Sequence, residues 1–188
     1  WGKVLRLNMD GQPVSDNDWA AQQAARGEIV SYGHRNVQGL AIHPATGQVW
    51  AGEMGPRGGD ELNLIMPGKN YGWPTITYGT EYSGAPVGQG ITQQEGLEQP
   101  SYYWDPVPAI SGMAFYASNA IPEWENNLFI GGLAGSHIIR LKLEGERVVG
   151  EERLLANEGQ RFRDIAVSPD GTLYAITDQG RLYRLKAD

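Results

Sequence analysis

The strongest constraint on this chain is that it repeats. A segment of the form apolar-apolar-Arg-Leu, running on to an acid, occurs three times: "GKVLRLNMD" at 2–10, "SHIIRLKLE" at 136–144 and "GRLYRLKAD" at 180–188. A second type of segment recurs as "GLAIHPATGQVWAGE" from Gly39, "GMAFYASNAIPEWENNLFIGG" from Gly112 and "DIAVSPDGTLYAITD" from Asp164. Each of these reads as a strand, a Pro- or Gly-bearing turn and a second strand. From Gly2 to Gly180 the chain returns to the same phase. With an intermediate unit at "DELNLIMPG", that interval divides into three periods of about 60 residues. The predicted fold class is therefore all-β, with about three four-stranded blades spanning residues 1–188 as half of a six-bladed β-propeller. A propeller closes with typically 4–8 blades, so three units leave sheet faces and edges that only the remaining half of the ring can cover. A three-sheet sandwich is the alternative architecture.

Composition agrees with many short strands: the chain has 26 Gly, 11 Pro, six Trp and nine Tyr, a turn-rich and aromatic mixture. One helix is predicted, over "DNDWAAQQAARG", with Asp16 or Asp18 as cap and Gly27 as stop. At 40% hydrophobic residues in 188, the chain has material for a core, and no apolar run suits a membrane span. Fifteen Lys and Arg against 22 Asp and Glu give a net charge of −7, which speaks against nucleic acid or an anionic membrane as partner. Any cationic site must be a local pocket. Cysteine is absent, which leaves the compartment open. Trp1 leads directly into "GKVLRLN" with no readable targeting signal, and a start inside a strand implies an upstream portion.

Superposing the repeats puts Asn36, Ala109 and Arg161 at one equivalent position and Gln38, Ser111 and Arg163 at another. These positions are i and i+2, which share a face of a strand. They predict a polar, partly cationic cup at the mouth of a central channel, suited to an anion with several carboxylates. A wet channel with no ligand, in which Arg161 and Arg163 pair with nearby acids, is the other reading of the same pattern. The stretch "GEMGPRGGDELNLIMPGKNYGWP" at 52–74 offers backbone carbonyls around Gly55-Pro56 and Gly58-Gly59, with Asp60 and Glu61 for charge. Hard cations such as Ca²⁺ take those oxygens, although Gly-rich turns beside an acid are common and EF-hand spacing is absent. Tyr102, Tyr103 and Trp104 can stack on a sugar or simply pack in the core.

Five ordered motifs, "GHRNVQGLA", "EMGPRGGDELNLI", "GKNYGWP", "SGMAFY" and "RFRDIAVSPDGTLYAITD", closely resemble the soluble PQQ-dependent sugar dehydrogenases, in their aldose sugar dehydrogenase branch. The resemblance implies a six-bladed propeller with pyrroloquinoline quinone (PQQ) at the axis and Ca²⁺ bridging it to the protein. It implies that Arg35 and Asn36 contact the quinone, that Arg161 and Arg163 hold carboxylates, and that the carbonyls of Gly55 and Pro56 bind the cofactor's Ca²⁺. Glu61 and the backbone of Tyr71 would belong to a second Ca²⁺ site. The implied reaction oxidises an aldose at C1 to its lactone and passes electrons to an acceptor, in the periplasm or outside the cell.

The family's catalytic base, a His, has no counterpart here, so no catalytic residue is assigned in this chain. His34 belongs to the cofactor motif, His43 to a turn and His137 to the start of an outer strand. Met54 replaces a polar residue of the family, Ala134 stands where the glucose-oxidising branch has a cofactor-binding Lys, and Val37 replaces a common Pro. A non-catalytic, calcium-stabilised propeller that binds protein or glycan is the alternative function. A lactonase-type hydrolase would need axial carboxylates where cationic and amide residues are found.

Overall fold

The computed structural model describes residues 2–15, 17 and 26–187. The predicted helix lies mostly outside these residues. Among the described residues, thirteen strands build four antiparallel sheets. Strands β1 (Lys3–Leu5) and β2 (Ile29–Tyr32) pair alone. The second sheet runs β3 (Val37–Ile42), β4 (Val49–Glu53), β5 (Asp60–Leu64), β6 (Tyr102–Trp104). The third has the same order: β7 (Ile110–Phe115), β8 (Leu128–Gly132), β9 (Ile138–Glu144), β10 (Arg147–Leu154). The last holds β11 (Phe162–Val167), β12 (Leu173–Thr177) and β13 (Leu182–Leu185). Two short 3-10 turns, Pro122–Trp124 and Ala156–Glu158, complete the regular structure.

The repeats map onto this topology strand by strand. The apolar-apolar-Arg-Leu segments form β1, β9 and β13, "DELNL" forms β5, and the longer repeats supply the first two strands of the other three sheets. In place of three equal blades there are two complete four-stranded sheets, flanked by a two-stranded and a three-stranded one. The chain enters the repeat at its third strand and leaves it after a third strand. This phase accounts for the uneven ends.

Successive sheets pack face to face. Trp50, Leu62 and Trp104 of the second sheet meet Ile110, Phe115, Leu128, Ile130 and Leu141 of the third. Phe129 and Ile138 then meet Phe162, Ile165 and Leu173 of the fourth. Each fully buried Leu or Ile contributes about 1.5–3 kcal/mol. In the third sheet burial falls from the second strand outward: β8 is buried throughout, whereas β10 is largely exposed. The first strands β3, β7 and β11 lie side by side. Each carries a register shift at its start, between Val37 and Gly39, Ile110 and Met113, and Phe162 and Asp164. The bulges recur at the positions where sequence superposition aligns the polar residues.

Two sheet faces remain bare. Leu40 pairs with Ala51, whose side faces the two-stranded sheet, yet Leu40 and Ile42 are 50% and 63% exposed. On the far face of the last sheet, Ile176 and its cross-strand partner Leu182 are 45% and 65% exposed.

Candidate functional site

The segment "GHRN" turns from β2 into β3, and its centre is buried. His34 is 2% exposed, so both ring nitrogens need partners. Its Nδ1 lies 2.9 Å from Glu53 Oε1, at the end of β4, and its Nε2 lies 2.8 Å from the Ser31 hydroxyl on β2. A carboxylate only accepts, so Nδ1–H donates to Glu53. The ring also stacks on Tyr71, centroids 4.5 Å apart. Glu53 does more than hold the imidazole: Oε2 accepts the Arg35 backbone N–H at 2.8 Å, and Oε1 accepts Asn63 Nδ2 at 2.8 Å. Arg35 emerges from this anchored backbone. Its Nη1 donates to the Met54 carbonyl at 2.9 Å, and its guanidinium sits 5.2 Å over the Trp73 ring, a cation–π geometry. Asn36 is exposed and accepts from Gln38 Nε2 at 2.8 Å.

Beside Arg35 the segment 54–61 wraps a tight backbone cradle. A Cβ on Gly55 would fall 2.3 Å from the Gly58 carbonyl oxygen and 2.4 Å from that of Gly59, which places backbone oxygens around a residue that must stay small. No N–H or O–H donor among the described residues reaches the carbonyls of Gly55 or Pro56. Asp60 fixes the cradle, accepting Gly55 N–H at 2.9 Å and Ile110 N–H at 3.0 Å. Burial pushes its carboxyl up to about 6, against the opposing pull of those two N–H groups.

Glu61 follows on the opposite face of β5. Burial, and then the Glu53 carboxylate, push it up to about 8. Its Oε2 accepts Asn63 Nδ2 at 3.2 Å, while Asn63 Oδ1 is buried with no partner. Tyr71 is held by its hydroxyl, which donates to the Leu64 carbonyl and accepts from Met66 N–H, and burial pushes it up to about 12. A cavity of about 10 Å³ lies among Arg35, Glu53, Gly55, Glu61, Tyr71 and Trp73, room for one water-sized species. An open hollow of about 350 Å³ adjoins it, lined by Lys3, His34, Arg35, Asn70 and Trp73.

Oxygen donors of the kind a hard cation takes are present: the carbonyls of Gly55 and Pro56, the orphaned Asn63 amide oxygen, and the Glu61 carboxyl, whose ionised form burial disfavours and a cation would favour. No group of three or more Asp, Glu, His or Cys side chains arranged for a metal occurs among the described residues. Main-chain oxygens would thus have to supply much of any coordination shell.

Arg161 and Arg163 converge on one acid. Asp178, just past β12, accepts Arg161 Nε at 2.9 Å and Arg163 Nε and Nη2 at 2.8 and 2.9 Å. Hydrogen bonding from Arg163 first, and then Arg161, pulls the Asp178 carboxyl down to about 2. This is the acid pairing that the wet-channel reading predicts. It leaves the pair one positive charge in excess, with both Arg161 Nη atoms and Arg163 Nη1 unanswered by the acid. Ser111 departs from the predicted cup. It is 2% exposed and its hydroxyl reaches the carbonyls of Gly131 at 3.0 Å and Phe162 at 2.7 Å, tying β7 to β8 and β11.

The other two histidines are occupied. His43 Nδ1 accepts Ala45 N–H at 3.2 Å and its ring packs on Phe115, and burial lowers its pKa. His137 Nδ1 meets the Gly135 carbonyl at 2.6 Å, its Nε2 is buried without a partner, and burial lowers its pKa. Trp104 is core, its Nε1 donating to Glu151 at 2.9 Å along with the Tyr102 hydroxyl at 3.1 Å. Tyr103 is 45% exposed and stacks on Tyr78.

Sequence reasoning missed Glu53, Trp73 and Asp178. Its one available signal was the acid that ends both "GLAIHPATGQVWAGE" and "DIAVSPDGTLYAITD".

A half-buried arginine with its backbone anchored by an acid stands beside a carbonyl cradle on an all-β stack of repeated sheets, an arrangement chemically able to meet an anion and a cation side by side. Residues 1–184 match the family described as glucose/sorbosone dehydrogenase, and the chain belongs to that family. It is 45% identical over 179 residues to the aldose sugar dehydrogenase YliI of Escherichia coli (strain K12), covering 95% of this chain and 48% of that protein. A solved glucose dehydrogenase superposes with a TM-score of 0.94 at 50% identity, covering all of this chain and 55% of that one. The PQQ-bound aldose sugar dehydrogenase of Streptomyces coelicolor superposes with a TM-score of 0.72 at 30% identity, covering 98% of this chain and 52% of that one. The chain thus spans about half the length of these relatives. No helix among the described residues is long and apolar enough to cross a membrane.

Proposed function

We propose that this chain is the cofactor-binding half of a PQQ- and Ca²⁺-dependent aldose dehydrogenase, built as half of a six-bladed β-propeller. The observation that carries the reading is the presentation of Arg35, fixed by Glu53 and Trp73 at the edge of a carbonyl cradle. Its relation to a PQQ-bound relative supports the cofactor. The bare apolar faces at Leu40 and Ile42 and at Ile176 and Leu182 support the half ring, because they lie where further blades would pack.

In this reading Arg35 and Asn36 bind the quinone, and the free guanidinium edges of Arg161 and Arg163 hold its carboxylates. The carbonyls of Gly55 and Pro56 hold the adjacent Ca²⁺, while Glu61 and the Tyr71 backbone hold a second. When bound, PQQ supplies a two-electron acceptor and Ca²⁺ a Lewis acid. The chain's own residues contribute charge and orientation. Arg35 is fixed before any ligand arrives, so it stabilises negative charge without reorganising.

The base that takes the proton from the sugar lies outside this chain in this reading, since His34, His43 and His137 are buried and engaged within the fold. An aldose, an electron acceptor and the remaining half of the propeller are the proposed partners, and the periplasm or cell exterior the proposed location. The test is dye reduction by the full-length protein supplied with PQQ, Ca²⁺ and a panel of aldoses. Turnover that requires both additions is expected. No reduction with any aldose, from protein shown to bind PQQ, would sink the proposal in favour of a binding module.

A further inference from the structure

The group Ser31, His34 and Glu53 has the order of a hydrolytic triad, but Ser31 is fully buried and no substrate can reach it. Its role must be sought in what it holds. Glu53 has two oxygens and both are committed: Oε1 to His34 Nδ1 and Asn63 Nδ2, Oε2 to the Arg35 backbone N–H. The acid therefore grips two consecutive residues, one by its ring and the next by its main chain. Behind His34, Ser31 pins the far nitrogen and Tyr71 stacks on the ring. In front, the Arg35 guanidinium is left two supports, the Met54 carbonyl and the Trp73 face. Met54 directly follows Glu53, so one strand end sets both the backbone and the guanidinium of Arg35. Ser31, His34, Glu53 and Asn63 are each 5% exposed or less within these residues alone, so the network needs no other part of the protein to form.

We propose that Glu53 is the positioning residue of this site: through His34 and the Arg35 backbone it sets where the Arg35 guanidinium is presented, and so sets the affinity for the anionic quinone. The inference rests on the reading that Arg35 grips PQQ. Glu53→Gln discriminates because the side chain keeps its shape while one oxygen becomes an NH₂ group. The amide oxygen still serves His34 and Asn63, and the NH₂ then faces the Arg35 N–H, donor against donor.

The experiment titrates PQQ, in the presence of Ca²⁺, into the full-length protein carrying Glu53→Gln, Arg35→Ala or both. Both single variants are expected to weaken PQQ at least tenfold. The double variant should be no weaker than Arg35→Ala alone, since contacts acting through one residue are not additive. Full additivity would mean a merely structural role and overturn the proposal. An unchanged affinity in Glu53→Gln, with Arg35→Ala weakened, overturns it while leaving the cofactor reading intact. An unchanged affinity in Arg35→Ala removes the cofactor reading and the proposal with it.

In the cofactor-free protein, ¹⁵N NMR of the His34 ring should show hydrogen on Nδ1. Finding it on Nε2 alone would also overturn the proposal. Should Glu53→Gln not fold, Ser31→Ala takes its place. That hydroxyl touches no ligand, and its loss should weaken PQQ at least threefold, again without adding to Arg35→Ala; additivity or no change counts against the proposal.

Discussion

Replacing Ser111 with alanine should destabilise the protein far more than removal of one small hydroxyl suggests. The Ser111 Oγ is buried and its single hydrogen lies between two carbonyls, those of Gly131 and Phe162. Phe162 stands between Arg161 and Arg163, so this contact fastens the backbone that carries both arginines to the neighbouring sheet. Ser111→Ala removes that hydroxyl, and the nearby Gly131 has no room for any larger group: a Cβ there would lie 2.4 Å from the Oγ and 2.7 Å from the Phe162 carbonyl oxygen. One net hydrogen bond is worth about 1 kcal/mol, and a buried carbonyl left without its donor costs roughly 1–3 kcal/mol. The expected loss is therefore about 1–3 kcal/mol, read as a lower urea midpoint at constant slope in equilibrium unfolding. Ser83→Ala is the control, because it makes the same chemical change on an exposed loop, where about 0.5 kcal/mol or less is expected. Equal effects from the two substitutions would refute the argument that Ser111 ties the sheets together.

Three further outcomes follow from the same geometry. The Asp178 carboxyl, lowered from 3.8 to about 2 by Arg163 and Arg161, stabilises the fold above its unfolded pKa and loses that contribution as pH falls through about 2; a ¹³C carboxyl titration with its midpoint at the ordinary value would show that the arginine clamp is absent in solution. Gly55→Ala forces a Cβ against two backbone oxygens and, on the proposed reading in which this cradle holds Ca²⁺, should weaken Ca²⁺ by tenfold or more in calorimetric titration of the full-length protein, whereas Gly150→Ala, whose Cβ would meet nothing closer than 3.8 Å, should leave it unchanged. Tyr71→Phe strips a partner from both the Leu64 carbonyl and the Met66 N–H, an expected loss of about 1–3 kcal/mol in the same urea experiment; a loss under about 0.5 kcal/mol would contradict the buried bonding seen here.

The fold was legible because a period in sequence is a period in hydrogen bonding. "VLRL", "IIRL" and "LYRL" share a pattern because each forms a strand with one face on a neighbour, β9 and β13 as the third of their sheets and β1 in its pair with β2. The uneven ends were not legible, since a repeat fixes phase but not which strands the chain leaves unpaired. At the site, Arg35, Gly55 and Arg161 could be singled out because charge next to a strand start and glycine beside an acid are local features. Glu53 and Asp178 could not, because their partners lie 18 and 15–17 residues away and become neighbours only when the first and second strands pair. Ser111 misled for a related reason: its position in the repeat does not say what surrounds it, and its hydroxyl meets the carbonyls of Gly131 and Phe162, 20 and 51 residues away.

Those two acids suggest why cations can be placed so close to the start of a strand. In the first repeat Glu53, opposite Val37, binds the segment carrying His34 and Arg35. In the last, Asp178, one residue past the partner of Phe162, binds Arg161 and Arg163. The middle repeat has neither acid nor cation: Gly132 faces Ile110, and the backbone closes by itself through Leu133 N–H to the Ala109 carbonyl. Acid and base therefore come and go together, with the two acids one residue apart in register: Glu53 opposite Val37, and Asp178 just past the partner of Phe162. The acid that ends the second strand offsets the cost of holding positive charge beside a packed sheet. It differs in what it leaves free: Glu53 takes the Arg35 backbone and spares the guanidinium, whereas Asp178 takes guanidinium edges directly. On the proposed reading Arg35 is accordingly the stronger anion contact of the two sites, and Arg35→Ala should weaken PQQ more than Arg161→Ala in a PQQ titration of the full-length protein.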